Sequence, residues 1–458
     1  MKAIVIGAGV VGYTIAQKLS SEGQDVVLIE QAQDRIDDVK ENLDVRIIKG
    51  SGSSPQTLIE AGIEKAELVI AVTNSDEVNM IACLIAETQS RVPKKIARIR
   101  NPDYINYSVI FEKDYLDLDL NINPEKAAAD RILKIIEVPG ARDVVDFVDG
   151  NLKLVGCKLG QNSKLVGKKT KELKGIFPEE NIVIVAIYRG TETIIPSGPT
   201  TLKADDLVFA ITASKRATEL PRLFGVGGSK SHKTIIIGGG EIGGYLAEKM
   251  ESKKGHHVKV IERDNERCKY LAEILDKTIV ISGDGTDQEL LNEENVSEAD
   301  TFIAVTDDEE ANILTSLLAK RLGAERCISL IDKPEYLSMV STVGIDVAVS
   351  PRLASVSDIM QFVRRGNILS VKTLMEDRVE AIETIAMETS DIVGVPLSDI
   401  KFPKGAIIGA ITSGEDSEKM VLPSGDTVIE PGDKVIIFAL RKTIKKVEQM
   451  LMVKPEFF

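Results

Sequence analysis

The sequence contains no tryptophan in its 458 residues, and aromatic residues make up only 4%. A surface that stacks nucleic-acid bases needs aromatic rings. Basic residues are also in the minority, 57 Lys and Arg against 71 Asp and Glu, for a formal net charge of −14. Such a chain repels a phosphate backbone unless it gathers its cations into one patch, and no such patch is seen. The four cysteines, Cys83, Cys157, Cys268 and Cys327, stand too far apart for a C-x-x-C metal motif or a disulfide framework. They read as buried apolar thiols of a reducing cytosol, and no metal site is expected. Only three histidines exist, and His256-His257 reads as a surface-loop pair before a strand. No 18 apolar residues run together, and the apolar run after Met1 is too short for a signal peptide. No helix shows a basic amphipathic face suited to lipid. The expectation is a cytoplasmic chain with no nucleic-acid partner and no direct lipid insertion.

The sequence does contain an internal repeat. AIVIGAGVVG (3–12) is answered by TIIIGGGEIG (234–243), and VVLIEQAQDR (26–35) by VKVIERDNER (258–267). GSGSSPQTL (50–58) is answered by GDGTDQELL (283–291), and AVTNSDEVN (71–79) by AVTDDEEAN (304–312). The offset stays between 231 and 233, as a tandem duplication requires.

Each half divides again. Apolar runs at Ala3–Ile6, Val26–Glu30, Val45–Ile48, Leu68–Val72 and Lys95–Ile99 alternate with stretches of helical spacing such as Val11–Glu22 and Val78–Gln89. That alternation predicts an α/β fold with a Rossmann-like, doubly wound parallel sheet. A linking helix follows in each half, Pro124–Glu137 and Pro351–Arg364. Residues 164–213 and 391–440 are rich in Val, Ile and Pro/Gly turns, with Pro196-Ser197-Gly198 falling on Pro423-Ser424-Gly425 and Asp206 on Asp433. They predict small α+β domains. The expected layout is a Rossmann-like domain over 1–123, linking helix and small domain over 124–225, and a Gly/Ser linker over 226–232. A second Rossmann-like domain over 233–350 and a second linking helix with small domain over 351–458 complete it.

Gly7-Ala8-Gly9-Val10-Val11-Gly12 lies between a predicted strand and a predicted helix, with Glu30 ending the next strand. Glycines let a backbone turn tightly against a pyrophosphate, and the helix N-terminus offers free N–H groups to it. A carboxylate at Glu30 accepts from ribose hydroxyls and repels a 2′-phosphate, which favours NAD(H) or another adenine nucleotide over NADP. Gly238-Gly239-Gly240-Glu241-Ile242-Gly243 and Glu262 repeat the pattern. Thr73-Asn74 and Thr306-Asp307 follow the fourth strands, and Arg98 and Arg100 are expected to alternate along the fifth and face one side. Leu330 and Asp332 stand in their place in the second copy, which makes the first cleft the expected triphosphate site.

The first half has no histidine, and the small domains show no nucleophile–base arrangement. The nucleotide is therefore expected to be sensed rather than consumed. The alternative is a soluble NAD-dependent oxidoreductase with a duplicated cofactor domain.

With GAGVVG (7–12), Glu30, AVTNSDEVN (71–79) and IARIRNPDY (96–104) in tandem layout, the chain resembles the TrkA family. These are peripheral NAD-binding subunits of bacterial and archaeal Trk potassium-uptake systems, built from RCK domains (regulators of potassium conductance). The resemblance implies a homotetrameric ring of eight RCK units at the inner face of the cell membrane, beneath a TrkH- or TrkG-like subunit. It implies NAD(H), or ATP and ADP, as ligands. It also implies site residues at the backbone from Gly7 to Val11, with Glu30, Thr73, Asn74 and Arg98, and at Gly238 to Ile242, Glu262, Thr306 and Asp307. No catalytic residue is implied.

Overall fold

The computed structural model describes residues 1–90, 92–173, 182–190, 192–226, 232–363, 368–374, 378–413, 420–421 and 423–451. Most of the expected linker, and Arg364 at the end of the second linking helix, lie outside them. The chain divides into two compact units, residues 1–128 with 350–363, and residues 129–349 with 364–458.

The first unit is a six-stranded parallel sheet. Its strands are β1 (Lys2–Ile6), β2 (Asp25–Glu30), β3 (Arg46–Lys49), β4 (Leu68–Ala71), β5 (Lys95–Arg98) and β6 (Leu120–Ile122), in the order β3-β2-β1-β4-β5-β6. Helices α1 (Val10–Ser21), α2 (Gln33–Asn42), α3 (Pro55–Glu60), α4 (Asp76–Ser90) and α5 (Pro102–Asn106) make the crossovers, and α6 (Pro124–Glu137) follows β6. Apolar side chains of β1 alternate between two cores, Ala3 and Val5 in one, Ile4 and Ile6 in the other. A sheet covered on both faces needs apolar residues at every position, hence the unbroken runs in β1 and β4.

The helix that covers one of these faces comes from the second half of the chain. Val356, Ile359, Met360 and Val363 of the Pro351–Val363 helix pack into the core with Ile15 and Leu19 of α1. Full burial of each is worth about 1.5–3 kcal/mol. Lys94 Nζ donates to the Phe362 carbonyl at 3.2 Å and lies 5.0 Å over the Phe362 ring.

The second unit contains the repeat of that sheet, β12 (Lys233–Ile237), β13 (His257–Glu262), β14 (Ile279–Ser282), β15 (Thr301–Ala304), β16 (Cys327–Leu330) and β17 (Val347–Val349), ordered β14-β13-β12-β15-β16-β17. Its basic residue at the position of Lys94 is Arg326, which donates to the Ile135 carbonyl of α6 at 3.3 Å and to the Ala141 carbonyl. Tyr245 Oη donates to Asp130 of α6 at 3.0 Å. The linking helices thus pair crosswise, each against the Rossmann-like sheet of the other half.

Two antiparallel sheets complete this unit. One orders β7 (Asp143–Phe147), β8 (Leu152–Lys158), β9 (Ile182–Arg189), β10 (Glu192–Ile194) and β11 (Leu207–Ala213) as β10-β9-β11-β8-β7. The other orders β18 (Ile368–Leu374), β19 (Val379–Ile385), β20 (Ala406–Thr412), β21 (Met420–Val421) and β22 (Lys434–Leu440) as β18-β19-β22-β20-β21. They share one core, in which Phe147 and Phe438 meet edge to face at 6.0 Å.

The fold class matches expectation, and three local readings change. A sixth strand, β6 or β17, closes each parallel sheet. Arg100 lies beyond β5, which ends at Arg98. His257 opens β13, while His256 is half-buried with its ring 5.7 Å from that of His232. Cys83, Cys157 and Cys327 are buried, and burial pushes their thiols up to about 12. Among the described residues, no helix is long and apolar enough to cross a membrane.

Candidate nucleotide clefts

At the carboxyl end of β1 the chain turns through Gly7, whose φ of +100° suits glycine. Gly7 N donates to the Ile29 carbonyl at 2.8 Å, tying the loop to β2. Gly12 is required by contact, because a Cβ there would lie 1.9 Å from the Gly7 oxygen. Helix α1 then starts at Val10 with Gly9 as an extended N-cap that supplies no side-chain cap. Its first-turn N–H groups and dipole face the cleft. Val10 is exposed and Val11 is buried in the core. The cleft encloses about 530 Å³, open mouth included, and is lined by Gly7, Gly9, Glu30, Thr73 and Asn74.

Glu30 is buried at the end of β2 and accepts from three backbone N–H groups, Ala8 at 2.7 Å, Gln31 at 2.6 Å and Ala32 at 2.9 Å. Burial alone would raise its pKa, but these donors and the Arg35 charge outweigh it and hold the carboxyl below its ordinary value. Glu30 therefore stays ionised and acceptor-only at neutral pH.

Thr73 is fixed by fully buried Asn79, which accepts from Thr73 N at 2.9 Å and Oγ1 at 2.7 Å and donates to the Arg98 carbonyl at 2.8 Å. The Arg98 guanidinium pairs with Glu125 at the start of α6, at 3.2 Å. Arg100 donates to the Asn74 carbonyl at 2.7 Å and lies 3.9 Å from Asp76. The two arginines therefore have different partners rather than a shared strand face. Four buried polar atoms around them, Arg98 Nε, Arg100 Nε, Asp76 Oδ1 and Glu125 Oε2, have no hydrogen-bond partner.

The second cleft repeats the frame. Gly238 has φ +97°, and a Cβ on Gly243 would lie 1.8 Å from the Gly238 oxygen. Gly239 N donates to Glu262 at 2.6 Å, and Asn312 accepts from Thr306 N at 2.9 Å. Gly240 is the extended N-cap of the Glu241–Glu251 helix, Ile242 is buried, and Glu241 and Asp307 are exposed. The Leu330 carbonyl accepts from Asn312 at 3.1 Å, and Asp332 N donates to Glu309 at 3.2 Å.

The sequence reading missed Arg35, Gly50, Gly52 and Asn79. Arg35, Gly50 and Gly52 line the first cleft. A Cβ on Gly52 would stand 2.2 Å from Ile6, and one on Gly285 would stand 2.2 Å from Ile237. Each recurs in the second copy, as Arg267, Gly283, Gly285 and Asn312, and that recurrence was the available signal.

A Rossmann-like domain followed by a small antiparallel domain, twice over, with a glycine loop and acid in each parallel sheet, defines a tandem nucleotide-cleft protein of the RCK fold. The TrkA-N domain model matches residues 3–118 and 234–351, and the TrkA-C domain model matches 154–225 and 382–452. Trk system potassium uptake protein TrkA of Halomonas elongata is 40% identical over 466 residues, with all of both chains covered. The protein of that name from Azorhizobium caulinodans is 38% identical over 461 residues, again with full coverage. TrkA homolog 1 of Methanosarcina mazei is 38% identical over 98% of this chain and 99% of its own. Among solved structures, the GsuK RCK domain aligns with a TM-score of 0.60 at 19% identity, covering 98% of this chain and 94% of that one. The GsuK channel bound to NAD aligns at 0.62 and 17%, covering 98% and 78%. The chain belongs to the TrkA family of Trk system potassium uptake proteins.

Proposed function

We propose that this chain is the nucleotide-sensing regulatory subunit of a Trk-type potassium uptake system. It binds NAD(H) and ATP or ADP in its glycine-loop clefts and passes the nucleotide state to a TrkH- or TrkG-like membrane subunit. It acts as a homotetrameric ring of eight RCK units at the inner face of the cell membrane, and it catalyses no reaction. The proposed contacts are the Gly7–Gly12 loop with Glu30, Thr73, Asn74, Arg98 and Arg100, and the Gly238–Gly243 loop with Glu262, Thr306 and Asp307.

One observation carries the nucleotide reading. The first cleft joins an uncapped helix N-terminus to an ionised acceptor, Glu30, and stands beside two arginines whose Nε atoms lack partners. That is a phosphate end and a ribose end, with cationic side chains nearby. The carboxylate on its lining, Glu30, is held ionised and so offers an acceptor rather than an acid. Family membership and the NAD-bound GsuK channel support the same reading. Tenfold preference of a nucleotide for one ring shape supplies about 1.4 kcal/mol per site, and sites add.

The test is potassium flux through a reconstituted Trk-type membrane subunit, with and without this chain and with ATP, ADP or NAD(H). Flux that depends on both the chain and the nucleotide is expected. Flux indifferent to either overturns the proposal.

A further inference from the structure

The two clefts carry an arginine at the same register, five residues past the acid, and use it differently. In the first cleft Arg35 stands 3.8 Å from Glu30 and is 46% exposed at the cleft wall. In the second, Arg267 is folded onto its own glycine loop and is 29% exposed. Its Nε donates to the Gly239 carbonyl at 2.6 Å and its Nη2 to the Gly240 carbonyl at 3.1 Å. The Glu241 carboxylate lies 3.9 Å away, and the Tyr270 ring 4.9 Å from the guanidinium carbon.

A size difference makes room for this. Gly244 stands where the first copy has Tyr13, and a Cβ on Gly244 would lie 3.3 Å from Arg267 Nη2. Tyr13 packs its ring against the first core instead. Two charge-assisted hydrogen bonds to carbonyls, with a carboxylate and an aromatic ring beside them, hold an arginine far more firmly than one loose ion pair.

We propose that Arg267 is a built-in latch on the second glycine loop, which an adenine nucleotide must displace to bind, whereas Arg35 is an arm free to contact the nucleotide in the first cleft. This rests on the nucleotide reading of the clefts. It makes the inequality of the two sites a matter of side-chain occupancy as well as of charge. A ligand that must first break a protein contact binds more weakly by the fraction of time the contact is open.

The test uses the full chain with one cleft silenced. Gly9 and Gly240 are extended N-caps with open space at their Cβ positions, the nearest atom to Gly9 being Arg35 Nη1 at 3.7 Å. Gly9→Asp or Gly240→Asp should keep the helix capped while placing a carboxylate where phosphate binds. In the Gly9→Asp chain, Arg267→Ala should raise ADP affinity about tenfold by calorimetry, about 1.4 kcal/mol. Gly244→Ala, which crowds the latch but keeps its charge, should raise affinity in the same direction. In the Gly240→Asp chain, Arg35→Ala should lower ADP affinity about tenfold. Damage to the fold does not produce a gain, so the gain is the diagnostic result. If the silenced chains bind ADP but both second-cleft substitutions leave affinity unchanged or lower it, the latch is refuted and the nucleotide reading stands. If the unsubstituted chain binds no ADP, NAD(H) or ATP in either cleft, both fall.

Discussion

In the first glycine loop Ala8 shares a core with Val39, while at the same two positions the second copy has Gly239 and Leu271. Leu271 Cδ1 fills the space where a Gly239 Cβ would stand, 2.5 Å away. One side chain is smaller where its neighbour is larger, so the packing is kept between the copies. The same holds further out. Lys94 and Arg326 both secure the end of a linking helix from the other half. Arg98 and Arg100, by contrast, give way to Leu330 and Asp332. The copies thus share what builds the loop and differ in the charged residues beside it, and they can be tested for that division.

The largest effect should be the one the copies share. Gly12→Ala and Gly243→Ala each force a methyl onto a loop carbonyl, and each should cost about 3 kcal/mol in denaturant unfolding. A loss at one position only would show that the loops are not equivalent. Next, Gly239→Ala should cost about 2 kcal/mol and be largely rescued by Leu271→Val, whereas Ala8→Gly in the first copy needs no rescue. Additive effects in the double variant would break the compensation argument.

Arg98→Ala should weaken ATP binding by about tenfold, or about 1.4 kcal/mol, with little change for ADP, while Leu330→Ala changes neither. Smallest is the effect of Glu30→Gln on stability, about 1 kcal/mol at neutral pH. Because the folded pKa of Glu30 is lowered, its contribution is fully present above the unfolded value and is lost as pH falls through the folded one. The gap between wild type and Glu30→Gln should therefore close in acid. A gap that widened in acid would contradict the assigned hydrogen bonds.

Much of this was legible in the sequence. The runs that became β1 and β4 are buried on both faces, so they carry the strongest apolar signal, and the glycine loops gain theirs from the strand before, the helix after and the acid downstream. The three-residue strand β6 was not legible, because Leu120 and Ile122 alternate with polar residues over too short a span. The crosswise linking helices were hidden for a different reason. The apolar stripe of Pro351–Val363 shows that the helix is covered, but nothing in it names the sheet that covers it. Arg98 was legible as a cation near the cleft, but its pairing with Glu125, 27 residues on, was not. Arg35 and Asn79 stood in the repeated blocks, and their recurrence at fixed distances from the acid and the threonine was the clue.

The crosswise helices also decide how the account should be tested, since cutting the chain between its halves strips each Rossmann-like sheet of a helix it packs against. The decisive measurement is an ATP titration of full-length Gly9→Asp and Gly240→Asp chains by calorimetry. Unequal clefts predict that Gly240→Asp keeps the tight ATP site within about twofold and that Gly9→Asp weakens it by at least about tenfold. Equal losses in the two chains, or the greater loss in Gly240→Asp, would contradict the account.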